Sequence, residues 1–331
     1  MPQYISTFTT GFEEIAARRL ACDLDGARLT AAYNGLLHYD YEGGRDTVLR
    51  LPFVNNTFEL VKAFPDGGPT FERMAAKVAS MDFQAHGQIG SFRVRFSREN
   101  RFESVPGKLA AAVERTIIKN TGLKPDRLNS DTEFWFIIRS EGAGFFGRLL
   151  KKRAKTEKTL HRGELRPELA YLLCCCAEPV PDAVVCDPFA GYGAIPMQLQ
   201  KYFKYAKMYL NDIDGECAAH LNNTSLGKDP KVVITNIDAL RLGHIADASV
   251  DLVVTDPPWG VFGKIDDIAV FYHRVMSELR RILACSGRIV LLTGRPAEML
   301  EALQRAALRV SLSFSTLVNG KKANVMIVEK A

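Results

Sequence analysis

"AVVCDPFAGYGAIPMQLQKYF", residues 183–203, decides the fold. A short apolar run meets an acid at Asp187, passes through Gly191 and Gly193, and continues with helical spacing. Such a pattern predicts a buried strand that turns tightly into a helix. The glycines permit the turn and let the backbone approach a ligand that a Cβ would exclude. A full G-x-G-x-x-G turn would favour a dinucleotide, but Pro196 stands at its third glycine position. The acid before the turn would also repel a pyrophosphate. It suits instead the ammonium group of a zwitterion such as S-adenosylmethionine. A bare strand–turn–helix corner is the alternative.

The same alternation runs to the end of the chain. Strands are predicted at 207–214, 232–238, 250–258 and 288–294. Between them lie "GECAAHLNNTSLG", ended by Gly227, and "AVFYHRVMSELRRILA" (269–284), capped by Gly287. A further helix starts at Pro296. "VSLSFSTLVNGKKANVMIVEK" (310–330) predicts two strands about an Asn-Gly turn. The fold class is therefore α/β, a doubly wound parallel sheet with a C-terminal antiparallel hairpin. The first 150 residues instead interleave helices ("GFEEIAARRLACDL", "FERMAAKVASMDF", "PGKLAAAVERTIIKNTG") with alternating strands, which predicts α+β units.

Four of the predicted strands of the α/β half carry an acid at or near their ends. Asp212 in "LNDID" falls about 20 residues past the glycine turn, where a carboxylate accepts from ribose hydroxyls. Asp214 is placed to cap the next helix. Asp238 in "TNIDAL" suits an adenine amino group or, equally, a plain helix cap. "VVTDPPWG" (253–260) closes the set. An exocyclic base amine is a poor nucleophile because its lone pair is delocalised into the ring. Asp256 and the carbonyl of Pro257 can each accept one N–H and so aim that lone pair at an electrophilic methyl group. Pro257 and Pro258 hold the loop rigidly, and Trp259 offers a stacking face.

Bulk composition fits a globular chain of two or three domains, with 331 residues, 47% hydrophobic and 24% charged. No apolar run approaches a membrane span, and "MPQYISTFTT" lacks a secretory pattern, so a cytoplasmic location is expected. The seven cysteines include three in a row and no C-x-x-C pair, which predicts reduced thiols in packed helices and no metal site. Charge is uneven. Residues 91–168 hold 18 Lys/Arg against 10 Asp/Glu, and the rest of the chain 25 against 28. A polyanion is the expected partner of that segment. Arg93, Arg95, Arg98 and Arg101 straddle an alternating strand with Phe92, Phe96 and Phe102, and are expected to face RNA over a phenylalanine core.

"DPFAGYG", "NDID", "NIDAL" and "TDPPWG", in that order, resemble class I S-adenosylmethionine-dependent amino-methyltransferases. "YISTFTTGFEEIAARRL", "GSFRVRFSRENRFES", "AAAVERTIIKNTG" and "HRGELRPELAYLL" are similar to the THUMP-containing tRNA guanine-N2 methyltransferases. The resemblance implies a ferredoxin-like domain at 1–62, a THUMP RNA-binding domain at 63–150, a linker at 151–166 and a methyltransferase domain at 167–331. It implies cofactor contacts from Asp187, Phe189, Ala190, Gly191, Gly193, Asp212, Ile213, Asp238 and Ala239. Asp256 to Trp259 would hold the guanine, and Leu165 to Pro167 would pack near the methionine end of the cofactor. Lys108, Arg153 and Arg166 join the four arginines as expected tRNA contacts. No obligate protein partner is expected. This chain departs from the pattern at Asp256 and Trp259, where Asn and Tyr or Phe are commoner, and at Ala190 and Tyr192. Adenine-N6 methylation therefore stays open, as does an RNA-binding protein with an inactive methyltransferase fold.

Overall fold

The computed structural model describes residues 1–64, 67–83, 90–152, 160–261 and 265–331. Arg153 and part of the expected linker lie outside them. The chain forms two compact units, Met1–Phe8 with Ala16–Ala154, and Thr9–Ile15 with Lys155–Ala331.

The first unit opens with β1 (Gln3–Thr7), α1 (Glu13–Asp23), β2 (Arg28–Tyr33), β3 (Leu36–Asp40), α2 (Arg45–Leu49) and β4 (Asn56–Phe64). These strands pair antiparallel in the order β2-β3-β1-β4, the ferredoxin-like arrangement. There follow α3 (Phe71–Ala79), β5 (Ser91–Arg98), β6 (Arg101–Phe102), α4 (Gly107–Thr121), β7 (Lys124–Pro125), β8 (Thr132–Ile138) and β9 (Gly144–Lys151). They extend the same sheet as β4-β9-β8-β5-β6, with β7 on β5. The expected boundary at residue 62 thus falls inside β4, which pairs β1 on one edge and β9 on the other. Strand alternation explains the core beneath. Phe92 and Phe96 of β5, Phe134 and Phe136 of β8 and Phe146 of β9 bury one face against Met74 and Val78 of α3 and Val113 and Ile117 of α4. Each such side chain contributes roughly 2–3 kcal/mol of transfer free energy. Phe102 departs from expectation: on the two-residue edge strand β6 it is 57% exposed.

The second unit runs α5 (Pro167–Ala177), β10 (Val184–Asp187), α6 (Ala194–Tyr202), β11 (Lys207–Asn211), α7 (Gly215–Asn223), β12 (Val232–Thr235) and β13 (Val250–Thr255). It closes with α8 (Ile268–Ile282), β14 (Leu283–Thr293), α9 (Pro296–Arg305), β15 (Leu308–Val318) and β16 (Lys321–Lys330). The sheet order is β12-β11-β10-β13-β14-β16-β15, parallel up to β14 and antiparallel beyond it. The doubly wound sheet with a terminal hairpin is thus as expected. Asn319 and Gly320 both take positive φ, as the primed hairpin turn requires. The apolar face of α8 (Tyr272, Val275, Met276, Leu279, Ile282) follows helical spacing and packs onto β13 and β14.

Several details differ from expectation. Helix α8 stops at Ile282, and Gly287 lies inside β14 rather than capping the helix. Leu283 pairs with Val250 across a register shift, and a Cβ at Gly287 would meet its side chain at 2.8 Å. Gly227 sits in a 3-10 turn at Leu226–Lys228, just past the end of α7. All three clustered cysteines are buried in α5, but Cys186 is in β10, and Cys22 and Cys285 are exposed. The segment Thr9–Ile15 belongs to the second unit. Thr316 Oγ1 donates to the Thr10 carbonyl at 2.7 Å, and the Phe12 ring meets Phe314 edge-on at 5.0 Å. No helix among the described residues is long and apolar enough to cross a membrane.

Candidate active site

Strand order reverses between β10 and β13, and ligands of open α/β sheets bind beyond the carboxyl ends of strands at such a point. Asp187 ends β10 and Asp256 follows β13, so the two carboxylates emerge side by side from neighbouring strands. Asp187 is 1% exposed. The Thr255 hydroxyl donates to its Oδ1 at 2.8 Å and the Phe189 N–H at 3.2 Å. Burial pushes this carboxyl up to about 7 against the pull of those donors, and the charge of Asp212 adds to the rise. Thr255 is fully buried and was not singled out from sequence, because a threonine ending an apolar strand carries no distinctive pattern.

The two turn glycines serve different ends. Gly191 (φ +53) faces open space where a Cβ would point, and its N–H donates to Asp212 Oδ2 at 2.8 Å. Gly193 (φ +93) is the residue before α6, and a Cβ there would strike Leu221 of α7 at 2.8 Å. Pro196 fits the first turn of α6. Asp212 also accepts the Asp214 N–H at 2.9 Å, so it bridges the glycine turn to its own loop. Asp214 caps α7 as expected, accepting from the Glu216 N–H. Asp238 is exposed and accepts the Leu240 N–H in a local turn; Ile213 is exposed, while Ala190 and Ala239 are buried backbone supports. Asn211, missed from sequence, is buried and bonds the carbonyls of Pro188 and Ile237 and the N–H of Ile237, tying three of these loops together.

A ring stack flanks the turn. Tyr192 lies 3.6 Å from His161 with their planes 4° apart, and His220 meets both edge-on. The Asp256 loop is braced separately. Trp259 Nε1 donates to Asp256 Oδ1 at 2.9 Å, and the Tyr272 hydroxyl donates to the Pro258 carbonyl at 2.9 Å. The Pro257 carbonyl has no such donor among the described residues. Burial pushes Asp256 up to about 8, the Trp259 N–H pulls against it, and the Asp187 charge adds to it. Among the described residues Asp187, Asp212, Asp238 and Asp256 make no ion pair. A set of acids converging without a protein cation, beside a backbone turn with free space, fits a cationic ligand.

Residues 198–323 match the family of RMKL-like methyltransferase domains. The chain is 27% identical over 220 residues to the tRNA (guanine(6)-N2)-methyltransferase of Thermus thermophilus, covering 65% of each chain. It is 26% identical over 179 residues to the U6 snRNA (guanine-N(2))-methyltransferase THUMPD2 of Bos taurus, covering 53% of this chain and 35% of that one. The aligned part thus spans about two thirds or less of these curated relatives. Among solved structures, TrmN from Thermus thermophilus superposes with a TM-score of 0.80 at 20% identity over the full length of both chains. At that identity the likeness is one of fold, and it takes in the strand ends and the turn that carry Asp187, Gly191, Asp212 and Asp256.

Of the described residues expected on RNA, all but Arg166 lie in the first unit. Arg93 and Arg95 share a face of β5, but both pair with Glu133, which stands opposite Arg93 on β8. Lys152 joins the same carboxylate, and Arg98 pairs with Glu103. Arg101 and Lys108 are exposed. Arg166 is 7% exposed at the start of α5, which removes it from a solvent-facing basic surface.

Proposed function

We propose that this protein is an S-adenosylmethionine-dependent tRNA methyltransferase acting on the exocyclic N2 amine of a guanosine. The observation that carries the reading is the pair of neighbouring strand ends: Asp187 beyond β10, and Asp256 with the Pro257 carbonyl beyond β13. The named activities of the two curated relatives, both guanine-N2 transfers to RNA, favour guanine over adenine. Bound S-adenosylmethionine would supply an electrophilic methyl group on its sulfonium. Asp187 and Asp212 would hold its cationic and ribose ends, with Gly191 leaving the room. Asp256 and the Pro257 carbonyl would each accept an N–H of the base amine and so orient its lone pair. Asp256 must be ionised for Oδ2 to accept, because Oδ1 already takes the Trp259 N–H and a proton would occupy Oδ2. The proton lost from the amine on methylation then has Asp256 Oδ2 as its nearest base. The first unit is proposed as the ferredoxin-like and THUMP platform that binds RNA, and the cytoplasm as the site of action.

Incubation of the full chain with transcribed tRNA and labelled cofactor, followed by nucleoside mass spectrometry, tests this. N2-methylguanosine is expected; N6-methyladenosine would move the reading to the adenine alternative, and no product would reject transfer to RNA. Asp212→Ala should weaken cofactor binding by roughly 1–3 kcal/mol, because charge-assisted bonds to ribose and the tie to Gly191 are both removed. Calorimetry reads this directly, and RNA affinity without cofactor should not change. On the RNA side the exposed cations matter more than the paired ones. Arg101→Glu with Lys108→Glu should raise the Michaelis constant for tRNA severalfold and reduce the salt slope by about 0.7–0.9 for each phosphate no longer neutralised. The constant for the cofactor should hold.

A further inference from the structure

Trp259 touches two things beyond its own loop. Its Nε1 donates to Asp256 Oδ1 at 2.9 Å, and its six-membered ring lies on Gly294. A Cβ built on Gly294 would sit 2.4 Å from Cε3 and 2.8 and 2.9 Å from the adjoining Cδ2 and Cζ3. Distances to the two ring neighbours only slightly longer than that to Cε3 put that point over the face of the ring, because a point off its edge would lie markedly farther from both. Gly294 has no positive φ, so the missing side chain is what the position needs, not an unusual backbone. The backbone on either side is tied as well. The Tyr272 hydroxyl holds the Pro258 carbonyl, and Arg295 Nε reaches the Trp259 carbonyl at 3.3 Å. The indole is therefore fixed at its plane, its N–H and its main chain.

We propose that Trp259 is a positioning residue: its indole N–H holds one oxygen of Asp256, so that only the other oxygen meets the substrate amine, and Gly294 is the seat that lets the indole lie there. This rests on the reading of Asp256 as the acceptor of the amine. A free carboxylate rotates about its last bond and presents either oxygen; a donor on Oδ1 removes that freedom. The same donor favours the ionised form, in which Oδ2 carries no proton and can accept an N–H. Among aromatic side chains only tryptophan carries this N–H beside the ring junction: phenylalanine has no donor, and the tyrosine hydroxyl lies at the far end of its ring. Gly294 comes from the end of β14, 35 residues further along the chain, and nothing in its surrounding sequence marks it.

The test uses the full chain labelled at the indole nitrogen, which carries two tryptophans. Trp135 donates to Glu133, and Trp259→Phe identifies the other resonance. The Trp259 N–H resonance should titrate with a midpoint above neutrality, lose that titration in Asp256→Asn, and lose it in Gly294→Ala. In kinetics, the acid limb of kcat/KM for tRNA should move up by about one pH unit or more in Trp259→Phe, as expected when a bond to a charged group is removed. The rate should recover toward wild type at the alkaline end. A Trp259 resonance that does not titrate, or an unmoved midpoint in an active Trp259→Phe enzyme, overturns the positioning role and leaves the methyl-transfer reading standing. A wild-type chain that transfers no methyl group to RNA at any pH rejects that reading instead, while the resonance still decides whether the indole reports on Asp256.

Discussion

Asp256→Ala should reduce methyl transfer to tRNA by on the order of 10²-fold or more while leaving cofactor affinity within a few-fold of wild type. The size follows from removing a preorganised charge that acts on the reacting amine. The selectivity follows from position. Asp256 stands beyond β13 with its Oδ1 on the Trp259 indole, whereas Asp187 and Asp212, at β10 and β11, are tied to the glycine turn. Single-turnover rates with saturating cofactor, set beside calorimetric titration, separate the two effects. Asp256→Asn is the informative companion. Its amide oxygen can still accept an N–H but cannot take a proton, so it should retain more activity than alanine and lose the acid limb of the pH profile. Wild-type rates in Asp256→Ala would remove this residue from the chemistry.

The parts of this site legible in sequence are those that parallel strands impose. A strand buried on both faces reads as an unbroken apolar run, and the first polar residue after it marks the sheet edge where ligands bind. Asp187 announces itself that way, and Asp212, Asp238 and Asp256 follow within three residues of their strand ends, although β11 and β12 end three residues before the predicted limits. What did not show was set by partners distant in sequence. The period of β5 correctly puts Arg93 and Arg95 on one face, but their pairing with Glu133 depends on the parallel register with β8, some 40 residues on. Phe102 reads as core until its strand proves to be a two-residue edge. Thr255, Tyr272 and Gly294 brace the acids through neighbours to which no local pattern points. The ferredoxin-like arrangement of the first unit came through the resemblance alone, since the residue pattern did not mark β2, α2 or β4.

Asp187→Asn should produce two opposed effects, a gain in stability at alkaline pH and a weakening of cofactor binding. The folded chain retains the Asp187 proton up to about 7, whereas an unfolded aspartate releases it near 3.8. Between those values the native state binds more protons than the unfolded state, so this residue's contribution to stability falls as pH rises across that window. Above about 7 the folded protein carries the full cost of a buried charge with no cation beside it. Asparagine never carries that charge, and its amide oxygen can still accept from the Thr255 hydroxyl and the Phe189 N–H, which now share Oδ1. Melting temperature should therefore exceed wild type at pH 8, and the gap should close toward pH 4. Affinity for S-adenosylmethionine should fall in the same variant by roughly ten- to a hundredfold, the range expected when a bond to a charged partner is removed. Cofactor should correspondingly stabilise wild type more than the variant at pH 8, because a bound cation offsets a charge that otherwise faces an apolar surrounding. A variant with lower melting temperature at every pH would mean that the carboxylate is already compensated within the fold. Unchanged cofactor affinity would reduce Asp187 to a lock between β10 and Thr255 and return the cationic ligand to Asp212 alone.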